Sequence, residues 1–278
     1  MFTRRHFLHV GFAGVALSVV PSVSRAAGKS LPKVAVQLYS VRERCKSDLA
    51  GTLKAIHEMG YVGVELAGSY GKPASEWTAL LKANGLIASG THTGIDTIKP
   101  DKLDQTIAEY KAIGCTYLTV PWLNADTAEK WGEYATIFNA AVAKVKAAGM
   151  VLSYHNHQHE FREKINGKRK WEIFCDALSP EVCLQFDVGH IVSAGEDPVY
   201  WLKKYPKRNP TIHAKEIYPG PGILGKVPEG KVGVNWDEVF KTTDADTTQW
   251  YVVESEADPK SLENIKGCID FLKAKGRA

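Results

Sequence analysis

Six histidines, His92, His155, His157, His159, His190 and His213, fall at or just past the C-terminal ends of short apolar runs. The densest segment is Tyr154-His155-Asn156-His157-Gln158-His159-Glu160-Phe161. Three later runs close on Phe186-Asp187-Val188-Gly189-His190, Ile212-His213-Ala214-Lys215-Glu216 and Val252-Val253-Glu254-Ser255-Glu256. Imidazoles and carboxylates gathered at one place suit a borderline divalent cation. Asp187, His213 and Glu254 arrive from three successive runs, and such a set can hold a metal with positions left open for substrate oxygens. The competing arrangement is a buried ion-pair network of Asp187, His213, Lys215 and Glu254.

These residues converge only if the runs are neighbouring strands. Apolar or β-branched runs at 33–40, 62–67, 86–92, 117–122, 150–157, 182–188, 211–217 and 250–256 alternate with amphipathic stretches at 49–59, 74–83, 101–113, 127–148, 171–177, 198–205, 236–242 and 259–274. Eight βα repeats without a linker or a Gly-rich dinucleotide turn predict an α/β fold, a closed (β/α)8 TIM barrel forming a single domain over 28–278. Alternate strand residues face opposite sides. Val34, Val36 and Leu38 therefore face the helices and leave Ala35, Gln37 and Tyr39 inward. By the same parity Val62, Val64 and Leu66 lie outside with Glu65 inside, and Leu184, Phe186 and Val188 lie outside with Gln185 and Asp187 inside. In such barrels the loops after the strands build the site.

The segment 1–27 reads as an address. Arg4-Arg5 precede Phe7-Leu8, a short apolar run spans 10–20, and Ser24-Arg25-Ala26 offers small residues for cleavage. The pattern resembles a twin-arginine export signal. It predicts a periplasmic or otherwise exported protein that meets the twin-arginine machinery and keeps no stable membrane anchor, since the run is too short to span a bilayer. Losing Arg4, Arg5 and Arg25 lowers the formal net charge from +4 to +1. A near-neutral body argues against a nucleic-acid partner and for a small molecule. The five cysteines show no metal-knuckle spacing and predict no disulfide; the oligomeric state stays open.

Taken together, the Tyr-His-Asn-His…Glu-Phe segment, the Asp-Val-Gly-His segment followed by Ala194-Gly195-Glu196-Asp197-Pro198, the His-x-Lys-acid run and the closing Val-Glu resemble the sugar phosphate isomerase/epimerase-like branch of the xylose isomerase-like barrels. That superfamily also includes inosose dehydratases, ketose 3-epimerases and endonuclease four. The resemblance implies one divalent ion, manganese, magnesium, cobalt or zinc, held by two glutamates, an aspartate and a histidine. Asp187, His213 and Glu254 match three of these. Epimerases of the superfamily place the remaining glutamate where this chain has Ser153, so the fourth ligand falls to Glu160, or to His155 or His157.

The implied chemistry is removal of a proton beside the carbonyl of a sugar or keto-sugar, ending in isomerisation or epimerisation. A lyase or dehydratase acting on a keto-sugar or keto-glycoside needs the same groups, and a non-catalytic sugar-binding protein is the alternative from another class. His157, His190 and Glu160 are candidates for proton transfer, and Lys215 for stabilising oxyanion charge. Gln37, Glu65, His92 and His155 are candidate substrate partners, Glu65 equally a member of a structural ion pair, Trp122 a pocket wall and Phe161 a cap. The Gly/Pro-rich segment 218–230 forms either a lid or an ordered surface loop.

Overall fold

The computed structural model describes residues 30–216 and 222–278. The segment 1–27, expected from its sequence to be an export signal, and residues 218–221 of the Gly/Pro-rich segment lie outside the described residues. Among those described, no helix is long and apolar enough to cross a membrane.

Eight parallel strands close into a barrel, as the repeat pattern predicts: β1 (Lys33–Gln37), β2 (Gly63–Ala67), β3 (Ile87–His92), β4 (Tyr117–Val120), β5 (Val151–His155), β8 (Cys183–Asp187), β9 (Thr211–Ala214) and β10 (Trp250–Val253). β1 closes the ring against both β2 and β10. Between β5 and β8 lies a small antiparallel hairpin, β6 (Lys164–Ile165) and β7 (Lys168–Arg169). The helices are α1 (Arg42–Ser47), α2 (Leu49–Met59), α3 (Ala74–Ala83), α4 (Leu103–Ile113), α5 (Ala128–Ala147), α6 (His159–Arg162), α7 (Lys170–Ala177), α8 (Val188–Ser193), α9 (Pro198–Lys204), α10 (Trp236–Asp244) and α11 (Glu263–Ala274). Residues 31–278 form one compact unit.

Strand parity sorts the side chains into two environments. Val34, Val36, Val64, Leu66, Leu184 and Phe186 join the helices in the main apolar core, whereas Ala35, Tyr117, Trp250 and Val252 fill the barrel interior. Trp77, Trp131, Trp171 and Trp201 are fully buried among the helices, and each such side chain contributes on the order of 2–3 kcal/mol through the area it removes from water. Above the interior apolar layer come Gln37, Glu65, Gln185 and Asp187, all buried. Local caps set where helices start: Asp48 accepts from the N–H of Gly51 at α2, Thr127 from Lys130 at α5, and Asn235 from Glu238 at α10.

The strands are shorter than the apolar runs. β1 ends at Gln37 because its side-chain oxygen accepts from the Tyr39 N–H at 3.1 Å and turns the chain into a 3-10 segment, Leu38–Val41. Tyr39 therefore leaves the inward register and lies half-exposed under the guanidinium of Arg42. Val62 precedes β2 and is exposed instead of facing the helices. Phe161 does not cap the barrel; it is buried against Trp171 and Trp201 between the helices.

Candidate active site

The strand ends place four groups around the barrel axis. His155 ends β5, Asp187 ends β8, His213 lies in β9 and Glu254 follows β10; one ligand atom from each lies within 4.8 Å of the others, and all four are buried. Asp187 does two jobs. Its Oδ1 accepts from the His190 N–H at 2.8 Å as the N-cap of α8, while its Oδ2 is buried with no hydrogen-bond partner. Asn156 fixes the Asp187 backbone from β5 by accepting from its N–H at 3.0 Å and donating to its carbonyl at 3.3 Å. Gly189 is required because a Cβ there would lie 2.6 Å from the Lys215 carbonyl oxygen. That close approach brings His190 and Lys215 together, with Lys215 Nζ donating to His190 Nε2 at 3.0 Å.

Glu65 forms the floor. Its carboxylate takes Gln37 Nε2 at 2.8 Å, Gln185 Nε2 at 2.7 Å, His92 Nε2 at 3.0 Å and His213 Nε2 at 2.7 Å. The bulge between Val64 and Glu65 in the β2–β3 pairing, typical beside functional sites, occurs at this point. Of the candidate substrate partners, Gln37 and Glu65 are buried and bonded to protein groups, and Glu65 holds His92 and His213. His213 Nδ1 faces Glu254 Oε2 at 2.7 Å.

Charge follows this geometry. Burial opposes ionisation of Glu65, but His92 and His213 outweigh it and hold the carboxyl well below its ordinary range. His213, opposed by burial and favoured by Glu65 and Glu254, is raised to about 10. Burial likewise opposes the charge on Glu254, which Lys215 and His213 hold low. Asp187 is the reverse case, raised by burial despite Lys215 and His213. Lys215 stays cationic against its burial because of Glu254, Asp187 and Glu256, the last at 2.6 Å. His155 is driven well below its usual value by burial and by His213 and His157; burial and Lys215 lower His157 to about 3 and His190 to about 2. The three are neutral imidazoles at neutral pH.

Glu160 does not join the metal-ligating group. As part of the single turn α6, its carboxylate points back to accept from the Tyr154 hydroxyl at 2.6 Å and the His157 N–H at 2.8 Å, with His159 Nδ1 at 3.3 Å. Burial raises its carboxyl to about 8 against those hydrogen bonds. Among the alternatives for the fourth position, His155 is the one whose ligand atom lies within 4.8 Å of those of Asp187, His213 and Glu254. His157 lies 4.9 Å from His155, ring centre to ring centre, and touches the other face of the cluster.

Trp122 stands 54% exposed beside the site, its ring edge-on to His157 at 4.7 Å and tilted over His159 at 4.5 Å. The segment that follows it is held from below. The carbonyls of Leu123, Asn124 and Ala125 face His159 Nε2 at 2.9 Å, the Tyr134 hydroxyl at 3.1 Å and the Trp131 indole at 3.1 Å, and Lys170 Nζ donates to Asn124 Oδ1 at 3.1 Å. On the other side, Glu216 accepts from the Gly225 N–H at 3.1 Å and the Trp236 indole at 3.3 Å, tying the described part of the Gly/Pro-rich segment to the barrel. Residue types alone did not single out Asn156, Gln185 or Glu216 for these positioning roles.

Whether the group suits a divalent ion can be judged from its atoms. A fully buried carboxylate oxygen of Asp187 and the buried Nδ1 of His155 make no hydrogen bond among the described residues, an expensive state for polar atoms that a cation would relieve. His213 presents Nδ1 to the group while Glu65 holds Nε2, the arrangement in which a carboxylate behind a histidine fixes a metal ligand. The residues fit.

Comparison with known proteins agrees with this architecture. An inosose dehydratase of Bacillus cereus (strain AH820) is 29% identical over 160 residues, 48% of this chain and 49% of that protein. The chain thus spans about half the length of that curated relative. An inosose dehydratase of Clostridium botulinum (strain Alaska E43 / Type E3) is 26% identical over 268 residues, 80% of this chain and 89% of that one. The crystal structure of a sugar phosphate isomerase/epimerase from Parabacteroides distasonis ATCC 8503 superposes with a TM-score of 0.74 at 26% identity, covering 87% of this chain and 98% of that one. A family model described as the xylose isomerase-like TIM barrel matches residues 53–275, and with the closed barrel and its rim of histidines and acids, this chain belongs to that family.

Proposed function

We propose that this chain is a metal-dependent sugar isomerase or epimerase that removes a proton next to the carbonyl of a sugar or keto-sugar. The observation that carries the reading is the convergence of His155, Asp187, His213 and Glu254 at the barrel axis, with Asp187 Oδ2 buried and without a hydrogen bond among the described residues. A divalent ion bound there, manganese, magnesium, cobalt or zinc, would polarise the substrate carbonyl and an adjacent hydroxyl.

The chain's own groups then divide the work. His157 or His190, both neutral and at the rim, accepts the proton; the electron pair of the broken C–H bond forms the new carbon–carbon double bond and the carbonyl π pair passes to its oxygen. The Lys215 ammonium, 3.9 Å from both Asp187 and Glu254, stabilises the negative charge formed there. Trp122 walls the substrate, with His92 at the edge of the floor. Returning the proton to the opposite face of the same carbon completes epimerisation; returning it to the former carbonyl carbon, with the proton of the adjacent hydroxyl passing to the former carbonyl oxygen, completes isomerisation. The Arg4-Arg5 leader supports an exported protein, and an exported enzyme of this kind would act on free sugars.

A second outcome is favoured by the inosose dehydratases among the relatives. The same proton removal followed by loss of a β-hydroxyl as water gives a dehydratase. The test is incubation of the manganese-loaded protein with inosose and a panel of free keto-sugars in deuterated water. Deuterium beside the carbonyl with a new stereoisomer or positional isomer supports the first outcome, and an unsaturated product the second. Absence of exchange in the whole panel, with sugar affinity that survives chelation, would leave a sugar-binding protein.

A further inference from the structure

Beside the acid-bearing group lies a cluster with no carboxylate in it. One nitrogen each from His155, His157 and His190 lies within 4.8 Å of the others. Their ring centres are separated by 4.9 Å (His155 to His157), 4.6 Å (His157 to His190) and 6.3 Å (His155 to His190). Three imidazoles on one tetrahedral ion, with nitrogens about 2.0–2.1 Å from it, have ring centres roughly 5 Å apart. The backbone therefore holds the rings near that spacing, and modest side-chain rotation closes it. His157 Nδ1, which takes no part in the acid-bearing group, is buried without a hydrogen bond among the described residues, as is the shared His155 Nδ1, and His155 is fully buried.

We propose that His155, His157 and His190 form a second cation site, distinct from Asp187, His213 and Glu254, that takes a zinc-class divalent ion and, when filled, switches the active site off. A neutral imidazole offers one lone pair, so His155 serves one ion at a time. With His155 drawn to the imidazole site, the acid-bearing site keeps Asp187, His213 and Glu254, three protein ligands with open positions. Nitrogen-only ligation favours zinc over magnesium or manganese, which prefer oxygen. The switching-off rests on the functional reading above, because the ion would occupy lone pairs of the two imidazoles assigned to proton transfer; the site itself does not. Lys215 opposes filling, since its ammonium donates to His190 Nε2 at 3.0 Å and is held by Glu256 at 2.6 Å.

The test is zinc and cobalt stoichiometry on the metal-stripped full chain after gel filtration, with cobalt followed by its visible d–d absorption. The wild type is expected to bind two equivalents, the His157→Ala and His190→Asn variants one, with manganese binding kept in both. Asp187→Ala should lose manganese and retain one zinc. Lys215→Met should tighten the second zinc by roughly tenfold, the effect of removing one competing charge. A single equivalent in the wild type, or a second that survives both histidine variants, overturns the site. Turnover of the manganese-loaded enzyme should fall as zinc fills the imidazole site. If two zincs bind and turnover is unaffected, the switch is overturned while the site stands; if no keto-sugar is turned over, the functional reading fails and the stoichiometry still decides the site.

Discussion

His213 Nε2 lies 2.7 Å from Glu65 Oε2, a contact that joins β9 to β2 across the barrel interior. Behind a metal ligand, such a carboxylate fixes the ring and raises its basicity. Glu65→Gln is expected to weaken manganese binding by about 10–100-fold, the range for loss of an outer-shell partner. Calorimetric titration of the folded variant checks it; unchanged affinity would reduce Glu65 to a structural ion-pair partner.

Asp187→Ala and Glu254→Ala remove groups that would face the ion directly. Each should lower manganese affinity by more than the roughly 100-fold upper range for an outer-shell change. Metal content after gel filtration, with circular dichroism to confirm folding, is the measurement. Retention of a full equivalent in both variants would contradict the site.

Glu160 carries the clearest pH signature. Its carboxyl is raised from 4.5 to about 8 in the folded chain, so between those values the folded state holds a proton that the unfolded state has released. The stabilisation is present below about 4.5 and fades as pH rises towards 8, with a slope of up to about 1.4 kcal/mol per pH unit from one proton. Urea unfolding of metal-free protein from pH 5 to 8 should show the wild type losing more stability than Glu160→Gln. Parallel curves would mean that Glu160 is ionised throughout.

Trp122 is 54% exposed, so Trp122→Ala should shift unfolding by no more than about 0.5 kcal/mol. Loss of a wall contact worth about 0.5–1.5 kcal/mol should raise KM roughly 2–10-fold with kcat little changed. Steady-state kinetics on whichever keto-sugar is turned over separates this from a role in proton transfer, which would lower kcat.

The barrel was legible because its strands advertise their faces. Val34 and Val36 lie in the helix-facing core while Ala35 joins Tyr117 and Trp250 inside, as alternation requires. α2 and α3 fall at the same residues in sequence and structure because Asp48 and Pro73 start them and Gly60 and Asn84 end them. The convergence of Asp187, His213 and Glu254 was legible too, since Asp187 ends β8, His213 lies near the end of β9 and Glu254 follows β10. Glu160 was not. Its spacing after His157 suits a ligand, but the one-turn helix α6 swings its carboxylate back onto the Tyr154 hydroxyl and the His157 N–H, a reversal set by backbone direction beyond the strand. Asn156 escaped notice for a related reason: it does not titrate, and its work is to extend the β5–β8 pairing by side-chain hydrogen bonds to Asp187.

The clamp on Leu123, Asn124 and Ala125 bears on how such an enzyme could be re-engineered. A (β/α)8 barrel invites treatment as eight exchangeable loops, each retuned alone. Here the three carbonyls after Trp122 are gripped by Trp131 and Tyr134 of α5 and by His159 of α6, which belong to the next part of the chain. Transplanting the loop alone would orphan the buried Trp131 indole and leave Trp122 without its footing. The unit of exchange is the whole stretch from β4 through α6, so substrate preference on this side of the barrel is inherited as a block.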